Sequence, residues 1–189
     1  MKAFFTKDRV EAGCDEAGRG CISGPVVAAA VILPKDCTIP TLNDSKQLSA
    51  KKRQALVPII KEMALAYTVA FVNQERIDEI NILNASFEAM HKAVDGLKQK
   101  PELLLIDGNR FTPYPEIDHE CIIKGDAIFL SIAAASVLAK EARDSYMREI
   151  HEEHPEYNWQ QNMGYPTKAH KEAVQQHGIT KHHRKTFKL

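Results

Sequence analysis

The stretch Cys14-Asp15-Glu16-Ala17-Gly18-Arg19-Gly20, followed by Gly24-Pro25-Val26-Val27-Ala28-Ala29-Ala30, constrains this 189-residue chain more than any other. A short strand-like segment ends on two adjacent carboxylates. A Gly-Arg-Gly turn reverses the chain, and an apolar run returns into the core. Neighbouring side chains on a strand point to opposite faces. Asp15 and Glu16 therefore serve one site only if the strand bends at Gly18, or if one of them contributes its backbone carbonyl. Both arrangements suit an oxygen-only site for magnesium or manganese.

Apolar periodicity sets the remaining elements. Val10–Asp15 and Ser23–Leu33 read as strands, as do Tyr67–Val72, Leu103–Ile106 and His119–Lys124. Ser49 can cap a helix running toward Ala66, with a kink or a late restart at Pro58. Gln74–Ile80 is a short helix, and Asn81 or Asn84 caps a second one to about Gln99. Phe87, Met90, Val94 and Leu97 lie on it at helical spacing. Ala127 to about His154 is a long helix stopped by Pro155. Asn158–Pro166 is loop, and Thr167 caps a last helix ended by Gly178. Strands followed by helices alternating with strands predict an α/β domain with a mixed central sheet flanked by helices.

No apolar run approaches the ~20 residues that span a membrane, and the first residues lack the pattern of a signal peptide. The cysteines, Cys14, Cys21, Cys37 and Cys121, form no Cys-x-x-Cys pair. Reduced, mostly buried thiols and a cytoplasmic location follow as expectations. Lys and Arg number 25, as do Asp and Glu, and this balance counts against a simple basic nucleic-acid binder. The charge is uneven, however. Lys168, Lys171, Lys181, Arg184, Lys185 and Lys188 face only Glu172 over the last 22 residues, and Lys46, Lys51, Lys52 and Arg53 form another basic run. Net neutrality can hide a basic groove around an acidic centre.

Further carboxylates strengthen that picture. Asp107 ends an apolar strand and precedes a glycine, where open α/β sheets place ligands, although many Asp-Gly pairs are plain turns. Asp126, in Lys124-Gly125-Asp126, stands before the long helix, where an aspartate also serves as a cap. With Asp15 and Glu16 these residues can supply oxygens for two metals roughly 3.5–4 Å apart, the separation used in phosphodiester cleavage. A carboxylate cluster without metal repels itself, and cation binding removes that cost. The expectation is a metal-dependent nuclease.

Asp15-Glu16-Ala17-Gly18-Arg19-Gly20 with Gly24-Pro25-Val26-Val27-Ala28-Ala29 resembles the opening motif of bacterial ribonuclease HII. The resemblance continues in Asn43-Asp44-Ser45-Lys46-Gln47-Leu48-Ser49, Leu105-Ile106-Asp107-Gly108, Lys124-Gly125-Asp126-Ala127 and Ile132 to Lys140. It ends in Arg143-Asp144, Gly164-Tyr165-Pro166-Thr167 with His170, and His183 to Phe187. The blocks keep the family's order over nearly the whole chain. The resemblance implies a ribonuclease-H-like fold with a small helical C-terminal region: residues 1–155 as the catalytic domain, and 156–189 contributing Tyr165 and a basic substrate-binding surface. It implies an endoribonuclease that cuts the RNA strand of RNA–DNA hybrids and 5′ to single ribonucleotides in duplex DNA. Two Mg²⁺ or Mn²⁺ ions would serve the cut, leaving 3′-hydroxyl and 5′-phosphate ends. Asp15, Glu16, Asp107 and Asp126 would be the catalytic metal ligands. Gly18, Arg19 and Gly20 would meet the ribose 2′-hydroxyl, largely through backbone groups, since only RNA carries that hydroxyl and glycine lets the main chain approach. Tyr165 would stack on the sugar beside the cut, and Lys46 would lie near the phosphates. Ser136, Lys140, Arg143, Asp144 and Arg184 would position these groups. The expected protein is a monomer acting on hybrid and ribonucleotide-containing duplex; the sequence leaves open whether a replication clamp recruits it.

Cys14 and Cys21 depart from the family, which has an aliphatic residue and a proline there. A thiol beside the centre is an expected point of sensitivity to oxidation or soft metals. His151-Glu152-Glu153-His154 lacks the spacing of a zinc helix, His182-His183 reads as part of a basic tail, and Tyr157 and Trp159 read as packing residues. The rivals are another nuclease of the same superfamily and a catalytically inactive hybrid-binding module. All four carboxylates are present, which disfavours the second.

Overall fold

Five strands form one mixed sheet. The computed structural model describes residues 1–42 and 48–188, so Lys46 and its neighbours 43–47 lie outside the described residues. The strands are β1 (Glu11–Ala17), β2 (Val26–Ile32), β3 (Ala66–Val72), β4 (Leu103–Asp107) and β5 (Asp118–Ile122), in the order β3-β2-β1-β4-β5. The first three are antiparallel neighbours, whereas β1, β4 and β5 run parallel. Helix α1 spans Ala50–Met63, α2 Gln74–Asp95, α3 Leu130–Glu153, α4 Trp159–Asn162 and α5 Lys168–His177.

Alternation along the strands builds a core on each face. Ala12 and Cys14 of β1, Ala28 and Ala30 of β2, and Leu104 and Ile106 of β4 pack against Ala85, Ala89, Met90 and Ala93 of α2. On the other face Ala29 and Val31 meet α1 and α3, and Leu103 and Leu105 meet Ile132. Full burial of a side chain such as Leu104 or Ile106 contributes about 1.5–3 kcal/mol. Gly13 lies on the α3 face, and a Cβ there would collide with the backbone of Ser131 and Ile132. Its bare backbone lets the central helix cross the central strand closely.

Several elements differ from the sequence reading. Strand β1 runs two residues past Asp15, through Glu16 and Ala17. Helix α1 passes through Pro58 unbroken; Pro58 is exposed, so the Gln54 carbonyl that loses its helical donor can be satisfied by water. One break falls where the sequence places it: Asn81 interrupts α2, with φ 66° and ψ 164°, and its side chain accepts from Leu83 N and Asn84 N, which makes it and not Asn84 the cap. Gly125–Ala127 forms a separate 3₁₀ turn, so α3 starts at Leu130 and Asp126 is not its cap. Residues 158–166 hold a short helix instead of only loop, bracketed by the left-handed Asn158 and Met163.

The C-terminal segment folds back onto the rest. Ile22 N donates to Gly164 O, Gly24 N to His182 O, and Arg184 N to Ile22 O. Trp159 and Tyr157 stack, with ring centroids 5.0 Å apart, in a cluster with Met147, Ile150 and Val174. Both rings are buried, as packing residues should be.

Candidate active site

Register alone brings two carboxylates together. Cys14 pairs with Ile106 in the parallel ladder, so Asp15 and Asp107 sit side by side at the C-terminal ends of the two central strands. Both follow the alternation to the α3 face. The turn after β5 brings in Asp126, and one carboxylate oxygen from each of Asp15, Asp107 and Asp126 lies within 4.8 Å of the others. Gly125 N donates to Asp107 Oδ1 at 2.7 Å, tying the turn to β4. Glu16 points the other way along the strand: Arg19 donates to its Oε1 at 3.2 Å, and it lines the same cleft without joining the trio.

Asp15 carries the strain of this arrangement. It is only 5 % exposed. Burial, then the charges of Glu16 and Asp107, push its carboxyl well above the usual range, opposed by the Ser136 hydroxyl and the Glu16 N–H. The Glu16 N–H donates to Asp15 Oδ1 at 2.7 Å. Three convergent oxygens with no nitrogen or sulfur among them fit a hard divalent cation, and its charge would offset the burial and the carboxylate repulsion that raise the Asp15 carboxyl.

Beside the trio runs a cleft of about 590 Å³ lined by Asp15, Glu16, the Gly18-Arg19-Gly20 loop, Ser136, Lys140, Asp144 and Tyr165. Two buried arginines hold the loop from behind. Arg184 donates to Gly18 O (2.7 Å), Arg19 O (3.1 Å), Gly24 O (3.0 Å) and Pro25 O (3.2 Å). Arg143 donates to Pro25 O, Ser23 O and Met163 O, and lies so close beneath Gly18 that a Cβ there would collide with it. Gly18 also has φ 97°, open to glycine at little cost. A planar five-donor fork suits this task, since neither arginine donates to a carboxylate in these contacts. Burial lowers Arg184 to about 10, still charged at neutral pH. Arg184 therefore adds no surface charge to the tail, contrary to its place in the basic run.

Lys140 donates to Asp144 at 2.7 Å and stands 5.9 Å from the centre of the half-exposed Tyr165 ring. Arg53 completes the wall, with Nε 2.8 Å from Glu141 Oε1 and Nη2 3.4 Å from Asp144 Oδ2. In the sequence Arg53 is only part of a basic run, Glu141 only the start of an acidic one, and Gly13 carries no signal; which charge meets which depends on how α1 crosses α3. His182 and His183 are also corrected. Both are buried, and burial holds His183 down at about 4, so this pair is not a basic tail. Cys14 and Cys21 are buried too. Burial and Asp15 push the Cys14 thiol up to about 12, and burial raises Cys21, so both are protonated, unreactive thiols and not points of sensitivity.

The family model for ribonuclease HII matches residues 12–189. The chain belongs to the ribonuclease HII family. A ribonuclease HII from Parabacteroides distasonis is 62 % identical over 98 % of this chain and 94 % of its own length. Ribonuclease H2 from Pyrococcus horikoshii superposes with a TM-score of 0.79 at 26 % identity, covering 94 % of this chain and 93 % of its own. The ribonuclease HII of a PCNA complex from Archaeoglobus fulgidus gives 0.78 at 25 %, covering 95 % and 96 %. Membership in ribonuclease HII makes this chain an endoribonuclease acting on RNA in RNA–DNA hybrids and on ribonucleotides in DNA.

Proposed function

We propose that the cleft cuts the RNA strand of RNA–DNA hybrids, and cuts 5′ to single ribonucleotides embedded in duplex DNA, leaving 3′-hydroxyl and 5′-phosphate ends. The carrying observation is the convergence of Asp15, Asp107 and Asp126 beside a glycine loop locked by two buried arginines. Asp15, Asp107 and Asp126, with Glu16 at the edge, would hold two divalent ions, Mg²⁺ or Mn²⁺. When bound, such ions ease deprotonation of the attacking water and stabilise the leaving 3′ oxygen.

The chain's own groups do the rest. Ser136 and the Glu16 N–H orient the Asp15 carboxylate. Arg184 fixes the Gly18 and Arg19 carbonyls of the turn and Arg143 the Ser23 and Pro25 carbonyls just after it, so the turn's remaining backbone groups meet the 2′-hydroxyl in one geometry; that hydroxyl is recognised and is not the nucleophile. Tyr165 stacks on the sugar beside the cut and favours an RNA–DNA junction. Lys140 and Asp144 position the wall beneath it. Lys46, which lies outside the described residues, would serve the phosphates. Residues 1–155 form the catalytic unit, residues 156–189 supply Tyr165 and the exposed lysines of the substrate surface, and the protein works as a cytoplasmic monomer.

The test is cleavage of a DNA duplex carrying one ribonucleotide, with Mg²⁺, with Mn²⁺ and with chelator, beside an all-DNA duplex. One metal-dependent cut 5′ to the ribonucleotide is expected. Binding without a cut would replace this reading with that of a hybrid-binding module.

A further inference from the structure

His182 is buried at the far end of α3 without the hydrogen bonds that burial demands. It is 6 % exposed, and neither ring nitrogen has a hydrogen-bond partner among the described residues. A buried polar group left so costs about 1–3 kcal/mol. The Glu153 Oε2 atom lies 3.7 Å from His182 Nε2, too far for a hydrogen bond. The His154 ring stands 5.8 Å from the His182 ring, and one donor atom from each of Glu153, His154 and His182 lies within 4.8 Å of the other two.

We propose that Glu153, His154 and His182 form a second metal site, selective for a borderline ion of the Zn²⁺ class and separate from the carboxylate centre. Two imidazoles and one carboxylate are donors for such an ion, whereas the all-oxygen trio suits magnesium or manganese. Tetrahedral ligands about 2.0–2.1 Å from zinc stand roughly 3.4 Å apart, so His182 and Glu153, at 3.7 Å, need move only slightly and no donor pair, all lying within 4.8 Å, has far to travel. The side chains of His154 (29 % exposed) and Glu153 (53 %) have room to turn, while His182 stays fixed in the core. His154 is also the C-cap of the 24-residue helix α3, where unpaired carbonyls favour a cation. Burial and the neighbouring Lys181 keep His182 in its neutral, ligating form. Lys181 Nζ lies 3.3 Å from Glu153 Oε2, and this exposed ammonium swings into solvent when the ion enters. The fourth position is left to water. The ion pins His182 to the end of α3, two residues from Arg184, and so steadies the segment that holds the Gly18-Arg19 turn.

The test uses the full-length Asp107→Asn protein, to weaken competing binding at the carboxylate trio, titrated with Zn²⁺ and with Co²⁺. About one Zn²⁺ per chain should bind in the micromolar range and raise the Tm, and Co²⁺ should give the visible absorption of a low-coordinate nitrogen-containing site. Adding His154→Gln, at a half-exposed position that spares the core, should lower Zn²⁺ affinity at least tenfold and abolish that absorption. Glu153→Gln should weaken binding, and excess Mg²⁺ should not compete. No Zn²⁺ bound by the parent, or an unchanged affinity and Co²⁺ spectrum in His154→Gln, would overturn the site.

Discussion

At the scale of single residues, Asp15 sets the acid–base behaviour of the centre. Its carboxyl is raised by burial first and by Glu16 and Asp107 second. The folded state therefore keeps a proton that the unfolded chain releases near pH 4. The stability it contributes is fully present below that range and is lost as pH rises through the elevated folded value. In chelator, Asp15→Asn should raise the Tm at pH 8, and the gain should vanish near pH 4. Thermal melts across that range check this, and an Asn variant that is less stable at pH 8 would contradict it. Mg²⁺ should raise the Tm of the native chain and not of the variant. The pair Asp15-Glu16 was legible as a motif, and its alternation was legible too. The identity of the third partner was not certain from sequence, because an aspartate ahead of a helix reads equally well as a cap. Only the separate turn at Gly125–Ala127 takes Asp126 out of that role.

At the scale of elements, close contacts between β1, α3 and the C-terminal segment decide the shape of the cleft. Gly13→Ala should cost about 1–3 kcal/mol by overpacking, and should also slow cleavage, because α3 carries Ser136 toward Asp15. Urea denaturation and turnover measured on the same protein would show the two losses together. Arg184→Lys should cost about 3 kcal/mol, a Tm drop of roughly 6–12 °C for a chain of this size, since lysine cannot reproduce four bonds to carbonyls. Its cleavage beside a ribonucleotide should show a raised KM, whereas a variant with native KM would remove the loop from recognition. Strands were readable because buried runs such as Leu103–Ile106 contain no polar interruption. Helix α4 was missed because it has four residues and both its flanks are left-handed. Neither Gly13 nor Arg184 could be assigned a partner from sequence, since each meets a segment more than a hundred residues away.

At the scale of the whole molecule, the C-terminal residues are a wall of the fold and not an appended tail. His183 is buried and held at about 4, against an ordinary value of 6.5. The unfolded chain thus takes up its proton first, so His183 contributes stability that is present above pH 6.5 and lost as pH falls toward 4. The Tm should decline over that interval, and His183→Asn should flatten the decline while lowering the Tm at neutral pH; a melting curve with the native slope in that variant would contradict it. The order of the family blocks along the sequence announced the architecture, but the way the last block closes over the first is a tertiary fact. The central claim is that the carboxylates at the ends of β1 and β4 perform the cut. The most direct measurement compares the native chain with Asp107→Asn on a duplex carrying one ribonucleotide, with duplex binding and thermal melting recorded alongside. Loss of turnover by at least about a thousandfold, with folding and binding kept, is expected. Near-native turnover in Asp107→Asn would contradict the assignment.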